Sequence, residues 1–361
     1  MGDHGRIAPR PLPSGPPHIS ALPLHASAPP SMTSNIRVGI AGTGHAVPPR
    51  IVTNDDLAKI VDTSDEWITQ RTGIRARRFV DDGQDCSHLC EEAAAKAIEA
   101  AGLTPNDIDL IVTGSLTQDH LMPSVSALVQ TRLGCENAGA FDVLAACTGF
   151  LTALHTAEAF VRAGRAKNVL AIGGETLSRY LDMSDRTSCI LFGDGAGAAV
   201  VRPLEDCGGQ GEILHQELGA DGTGYDFIHI PSGGAKQPHH HPDYQKDNHF
   251  IRVRGREVYR FAVTKMSELI RKASEMVGDE EIKVVIPHQV NLRIIEAARE
   301  RLDWSMDRFF VNIDKYGNTS AGSVPIALDE AVREGALKKG DLVVLVAFGA
   351  GLTWGSTLLR W

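Results

Sequence analysis

One pattern occurs twice in this chain and limits the folds open to it. "NVLAIGG…LFGDGAGAAVV" and, near the end, "LVVLVAFGAGLTWGSTLL" each give an apolar run, a glycine-rich turn and a second apolar run. Short runs that are apolar at nearly every position read as strands buried on both faces. "IRVGIAGTG", "IDLIVTGS" and "IKVVIPH" are further strands of this kind. Between them, "CEEAAAKAIEAAG", "YRFAVTKMSELIRKASEMVG", "NLRIIEAARERLD" and "AGSVPIALDEAVREG" carry helical spacing, the first stopped by Gly102. Regular alternation predicts an α/β architecture with both sheet faces covered. The echo predicts two similar halves, 35–205 and 206–361.

Residues 1–34 stand apart. They are rich in Pro, Ala, Ser, Gly and His, with no lysine, and are expected to form a disordered extension. Two arginines among many prolines make a poor transit peptide, and no secretory apolar core is present. A cytoplasmic location is therefore expected, a plastid one only if the extension is a transit peptide. The net charge of −9 argues against a general nucleic-acid binder. Six scattered cysteines fit a reducing compartment better than a disulfide scaffold. No apolar run reaches the roughly 18 residues of a membrane span.

Several tempting signals carry little. The glycine-rich turns lack a G-x-G-x-x-G opening a helix, and no P-loop lysine follows one. His239, His240 and His241 lie in a turn-rich excursion without acidic partners, and Cys86 with Cys90 lacks further ligands, so no metal is expected.

Cys147 is different. "FDVLAACTGFLTALHTAEAFVRAG" reads as a short buried strand, Phe141–Leu144, then a helix from about Phe150, with the thiol at the hinge. A helix start offers unpaired N–H groups and partial positive charge, which predicts a lowered thiol pKa and a nucleophile ready to take an acyl group. In the second half, "VVIPHQVN" ends a strand at His288, and "KYGNTSAGSVP" puts Asn318 before a helix. Ligand sites in α/β sheets gather at strand ends.

Seven stretches in order, "GTGHAVP", "VDTSDEWITQRTGI", "ACTGF", "FGDGAGA", "PHQVNLRII", "GNTSAGSVP" and "FGAGLTWGS", resemble the thiolase-like condensing enzymes, in particular the 3-oxoacyl-(acyl-carrier-protein) synthase III family. The resemblance runs from about Ile36 to Trp361. It implies a thiolase-like fold in which mixed sheets sandwich buried helices as αβαβα layers. It also implies decarboxylative condensation of an acyl-CoA primer, acetyl or short and branched, with malonyl-acyl carrier protein. Cys147 would be the acylated nucleophile, and His288 and Asn318 the decarboxylation pair.

The same resemblance assigns Trp67 and Arg186 to the adenine of CoA, Arg71 to its phosphate, Asn291 to the pantetheine arm or a water, and Phe348 to shielding the thiol. Arg260 and Arg293 would meet the acidic carrier protein. Met122 would reach across a homodimer to the end of the acyl pocket, where the family often has an aromatic, leaving room for a longer or branched primer. Ala350 stands where a glycine is usual, which keeps its backbone donor. No cofactor is implied, because the CoA thioester is a substrate. Three alternatives stay open at this stage: a related condensing enzyme that makes polyketides or quinolone precursors or joins two acyl chains, a papain-like cysteine hydrolase, whose Cys-His-Asn order also fits, and a non-catalytic scaffold.

Overall fold

The computed structural model describes residues 36–361; the expected extension, 1–34, lies outside them. The strands are β1 (Val38–Ala46), β2 (Ile51–Thr53), β3 (Ala76–Arg78), β4 (Leu110–Gly114), β5 (Gly139–Val143), β6 (Val169–Thr176), β7 (Asp194–Pro203), β8 (Glu212–Ala220), β9 (Ile228–His229), β10 (Arg252–Val253), β11 (Ile282–Pro287), β12 (Leu342–Gly349) and β13 (Thr353–Arg360). The helices are α1 (Asn54–Ala58), α2 (Asp65–Thr72), α3 (Cys86–Ala100), α4 (Val125–Leu133), α5 (Gly149–Arg162), α6 (Gly255–Val277), α7 (Leu292–Leu302), α8 (Ile313–Tyr316) and α9 (Ser323–Arg333).

Nine strands hydrogen-bond in the order β11-β12-β13-β8-β1-β7-β6-β4-β5. The join between β8 and β1 is narrow, a single residue pair, Gly39 opposite Glu212. On either side of it the connections repeat. β4 runs parallel to β6, β6 antiparallel to β7, and β7 antiparallel to β1. In the other arm β11 runs parallel to β12, β12 antiparallel to β13, and β13 antiparallel to β8. The sequence echo is thus the pair β6/β7 repeated as β12/β13.

The continuous apolar runs follow from burial on both faces. Along β12, Val343, Leu345 and Ala347 face one core cluster, while Leu342, Val344, Val346 and Phe348 face another. β6 divides likewise, with Val169 and Ala171 on one side and Leu170 and Ile172 on the other. The shared cluster holds α5 and α9 between the two arms. Helices α3 and α4 cover the outer face of the first arm, and α6 and α7 that of the second. The result is five layers, αβαβα. In α5, Phe150, Leu151 and Leu154 are fully buried. Each contributes about 1.5–3 kcal/mol of transfer free energy, and truncating Leu154 to Ala would cost about 2–5 kcal/mol.

One expectation needs correction. The strand before Cys147 is not buried: β5 is the edge of the sheet, half-exposed along most of its length, and Leu144 is 73 % exposed. An apolar run alone does not distinguish a central strand from an edge that a partner could cover. β8 also escapes sequence reading, since "EILHQELGA" mixes charge with exposed Leu214 and Leu218. Among the described residues, no helix is long and apolar enough to cross a membrane.

Candidate active site

Cys147 stands on a 3-10 turn, Ala146–Thr148, that runs directly into α5. Ala146 has φ 46°, a left-handed conformation that costs a residue with a Cβ about 1–3 kcal/mol and clusters at functional sites. The turn is pinned by Thr148, whose hydroxyl donates to the Ala145 carbonyl at 2.7 Å and lies 2.9 Å from Thr353 Oγ1. Two glycines let it sit close to the sheet ends. A Cβ on Gly114, at the end of β4, would fall 2.2 Å from the Gly149 carbonyl carbon. One on Gly349, at the end of β12, would fall 2.7 Å from Cys147 Cβ.

His288 follows β11 and is buried. Its N–H donates to the Val346 carbonyl at 2.7 Å. Its Nδ1 lies 2.6 Å from the hydroxyl of Ser323, the first residue of α9, and its Nε2 has no partner among the described residues. Burial pushes the imidazole down to about 3, so the ring is neutral at any working pH. The Phe348 ring meets it edge to face, with centroids 5.6 Å apart. Asn318 is held by its backbone, N–H to the Leu191 carbonyl at 2.8 Å. Its Oδ1 accepts the Ser320 N–H at 2.8 Å, which leaves the side-chain NH2 as the free donor.

Cys147, His288, Asn318, Asn291 and Phe348 line one cavity of about 120 Å³. A second cavity, of about 740 Å³, reaches Cys147 from the other side, past Leu177, Phe192, Tyr180 and Ile251. The histidine-rich excursion forms part of its wall. His239 packs on Tyr244 and His249, at centroid distances of 4.8 and 5.4 Å, rather than joining a metal cage. No group of three metal-ligating side chains is gathered among the described residues.

The thiol's acidity is opposite to the expectation. Burial pushes Cys147 up to about 11, outweighing the Ser320 hydroxyl and the main-chain N–H groups of Cys147 and Ala350, which act on the sulfur in the other direction. The helix start is there, but the packing around the sulfur weighs more. The resting thiol is therefore protonated, and its proton must leave as it attacks.

Farther out, Ser64 caps α2 by accepting the Trp67 N–H at 3.1 Å, and Gly73, with φ 79°, ends it. Trp67 on that helix is approached by two cations, with Arg71 Cζ 4.6 Å and Arg186 Cζ 5.3 Å from its ring centroid. Arg186 Nη1 is anchored to the Asp62 carbonyl at 2.9 Å. Asn291 caps α7, its Oδ1 accepting the Arg293 N–H at 3.0 Å. Arg260 and Arg293 are exposed on α6 and α7, and the Tyr259 hydroxyl donates to the Arg293 carbonyl at 3.5 Å across the cavity rim. Met122 is not brought to either cavity of its own chain; it is 84 % exposed beside Leu121 at 97 %.

Sequence reasoning missed three residues. Ser323 orients His288. Ser320 has φ 48° and lies 3.4 Å from Cys147 Sγ. Glu175 is buried behind it at the end of β6. A glutamate closing an otherwise apolar strand, "LAIGGE", was the available signal for the last.

Paired sheet arms around two central helices, with a half-buried thiol at the start of one and a neutral imidazole beside the start of the other, describe a thiolase-fold condensing enzyme. Residues 141–222 match the family 3-oxoacyl-[acyl-carrier-protein (ACP)] synthase III, and residues 273–361 match its C-terminal part. The beta-ketoacyl-[acyl-carrier-protein] synthase III of Caldanaerobacter subterraneus subsp. tengcongensis is 50 % identical over 332 residues, 91 % of this chain and 99 % of the relative. The crystal structure of 3-oxoacyl-[acyl-carrier-protein] synthase III from Aquifex aeolicus VF5 has a TM-score of 0.82 at 45 % identity, covering 90 % of this chain and all of that one. The priming beta-ketosynthase of the R1128 polyketide pathway gives 0.82 at 34 % identity, covering 89 % of this chain and 95 % of its own. The chain belongs to the beta-ketoacyl-[acyl-carrier-protein] synthase III family.

Proposed function

We infer that this enzyme is an acyltransferase that condenses an acyl-CoA primer with malonyl-acyl carrier protein, releasing CoA and CO2 and starting a fatty acid chain. In this reading Cys147 attacks the primer thioester, and the main-chain N–H groups of Cys147 and Ala350 hold the oxyanion. CoA leaves, and malonyl-carrier protein enters past Asn291. As CO2 departs, negative charge develops on the remaining thioester oxygen. The Asn318 NH2 and the His288 Nε2–H donate to it, the latter with the Ser323 hydroxyl donating to Nδ1 and fixing the tautomer. The carbanion then attacks the acyl-Cys147 carbonyl. Phe348 keeps water from that carbonyl.

The observation that carries this reading is the neutral, half-partnered imidazole sharing one small cavity with a half-buried thiol. A charged imidazole would donate equally well but would exist only in strong acid here. Trp67, Arg71 and Arg186 are the CoA platform, since aromatic and guanidinium planes stack on a base. Arg260 and Arg293 receive the acidic carrier protein. Volume beside the thiol supports primers longer than acetyl.

The division into halves 35–205 and 206–361 goes with the repeated strand order. A homodimer is supported by exposed Leu121, Met122 and Leu144 next to the unpaired edge of β5; Met122 would then reach the partner's acyl pocket. The compartment is the cytoplasm; the bacterial relatives lend the plastid alternative no support.

Supplying acyl-CoA with malonyl-carrier protein, then with malonyl-CoA alone, tests the assignment. Product only with the carrier protein supports it; equal product from malonyl-CoA favours a specialised-metabolism relative.

A further inference from the structure

Glu175 ends β6 fully buried. Its Oε2 accepts the Thr117 hydroxyl at 2.6 Å and the Thr117 N–H at 3.1 Å, and the Ser115 hydroxyl lies 3.3 Å away. The Leu116 N–H is shared between its two oxygens. Its Oε1 lies 3.3 Å from Ser320 Oγ, which in turn lies 3.4 Å from Cys147 Sγ. A serine hydroxyl has one hydrogen and two lone pairs, and an ionised carboxylate only accepts. With Glu175 ionised, both contacts become hydrogen bonds when the thiol donates to Ser320 and Ser320 donates to Glu175; with Glu175 protonated, the relay reverses and Ser320 donates to the sulfur. We propose that Glu175 is the positioning residue that receives the Cys147 proton, through Ser320, as the thiol attacks the acyl-CoA thioester.

This rests on Cys147 being the acylated nucleophile. The step balances within the site. The S–H proton passes to Ser320 Oγ while the Ser320 proton passes to Glu175 Oε1. The Cys147 Sγ–carbonyl bond forms, the carbonyl–sulfur bond to CoA breaks, and CoA leaves as a thiolate that takes a proton from water. In the second half-reaction the acyl group moves to the carbanion. The freed Cys147 thiolate then recovers its proton from Ser320, which is resupplied by Glu175.

The neutral imidazole is the obvious competitor for this task. Burial has taken His288 down to about 3 and brought Glu175 up to about 7, so the carboxylate is the stronger base. A base poised near the working pH is the effective one. The titratable groups facing Glu175 are Cys147 from the 3-10 turn, Cys86 and Cys90 from α3, and Tyr180 just beyond β6; Asp119 acts on the same cluster. All are neutral or negative, so charge on Glu175 is not offset by a cation from these elements. Hydroxyl and amide donors hold it instead.

The test is single-turnover acylation by a saturating acyl-CoA, followed by intact-protein mass from pH 5.5 to 9. For the wild type the rate rises through pH about 7 and then levels. Glu175→Gln acylates about 10²-fold more slowly with no limb near pH 7. Glu175→Asp restores the limb, and Ser320→Ala loses it as Glu175→Gln does. A purely structural role for Glu175 would lower the yield of folded protein without erasing the limb. Circular dichroism melting verifies each variant, and if Glu175→Gln does not fold, Ser320→Ala decides. A wild-type rate and limb in the deciding variant overturns the proposal. Failure of the wild type itself to gain an acyl mass at Cys147 would instead overturn the assignment of the nucleophile.

Discussion

His288 turns Nδ1 to the Ser323 hydroxyl at 2.6 Å and leaves Nε2 without a partner among the described residues, in the cavity it shares with Cys147. Ser323 opens α9 as Cys147 precedes α5, so the two central helices each deliver one half of the site. The buried ring also couples stability to pH. Its folded pKa, about 3, lies below the 6.5 of an exposed histidine. Between those values the unfolded chain binds a proton that the folded chain refuses, so stability falls as pH drops below 6.5. Urea unfolding at pH 7 and pH 5 should show His288→Asn losing about 2 kcal/mol less than the wild type over that interval. Equal losses would mean that the ring charges in place.

Asn318 gives a prediction that separates the two half-reactions. Its NH2 is free because Oδ1 is occupied by Ser320 N–H. Asn318→Ala should still accept an acyl group but release CO2 from malonyl-carrier protein about 10²–10³-fold more slowly. Radiolabelled CO2 release from a preformed acyl-enzyme measures it directly; an undiminished rate would remove Asn318 from the decarboxylation.

Gly349 tests how tightly the thiol is confined. A methyl group there would fall 2.7 Å from Cys147 Cβ and 3.1 Å from Sγ. Gly349→Ala should destabilise by about 1–3 kcal/mol through overpacking and displace the sulfur, so acylation falls more than stability accounts for. A variant that acylates normally would show that the site has slack.

Trp67 tests the CoA platform. With two guanidinium groups within 5.3 Å of its ring centroid, Trp67→Ala should raise KM for acyl-CoA about tenfold, roughly 1.4 kcal/mol of lost stacking, while KM for malonyl-carrier protein stays put. Initial rates with each substrate varied in turn decide. A shift in both would place Trp67 in folding rather than in nucleotide binding.

What could be read from the sequence, and what could not, has a physical basis. Strands such as Leu342–Gly349 were legible because burial on both faces leaves no polar position to blur the pattern. Helices α6 and α7 were legible because one face alone is apolar. The edge strand β5 was misjudged because apolar side chains do not say what covers them. At the site, Cys147, His288 and Asn318 sit on ends of elements that pattern can locate. Ser320, Ser323 and Glu175 act through contacts between elements far apart in sequence, and no local pattern encodes those. The thiol's acidity was misjudged for a related reason. The helix start is local, but the packing that overrides it comes from segments far off in sequence, with Gly349 and Ser320 both at the sulfur.

The central claim is that Cys147 carries the primer, and intact-protein mass after mixing with acyl-CoA thioesters of different lengths tests it most directly. The account predicts the mass of one acyl group on the wild type, removed by malonyl-carrier protein, and none on Cys147→Ala. Acylation that survives in Cys147→Ala, or a wild type that stays unmodified with every thioester, would contradict it.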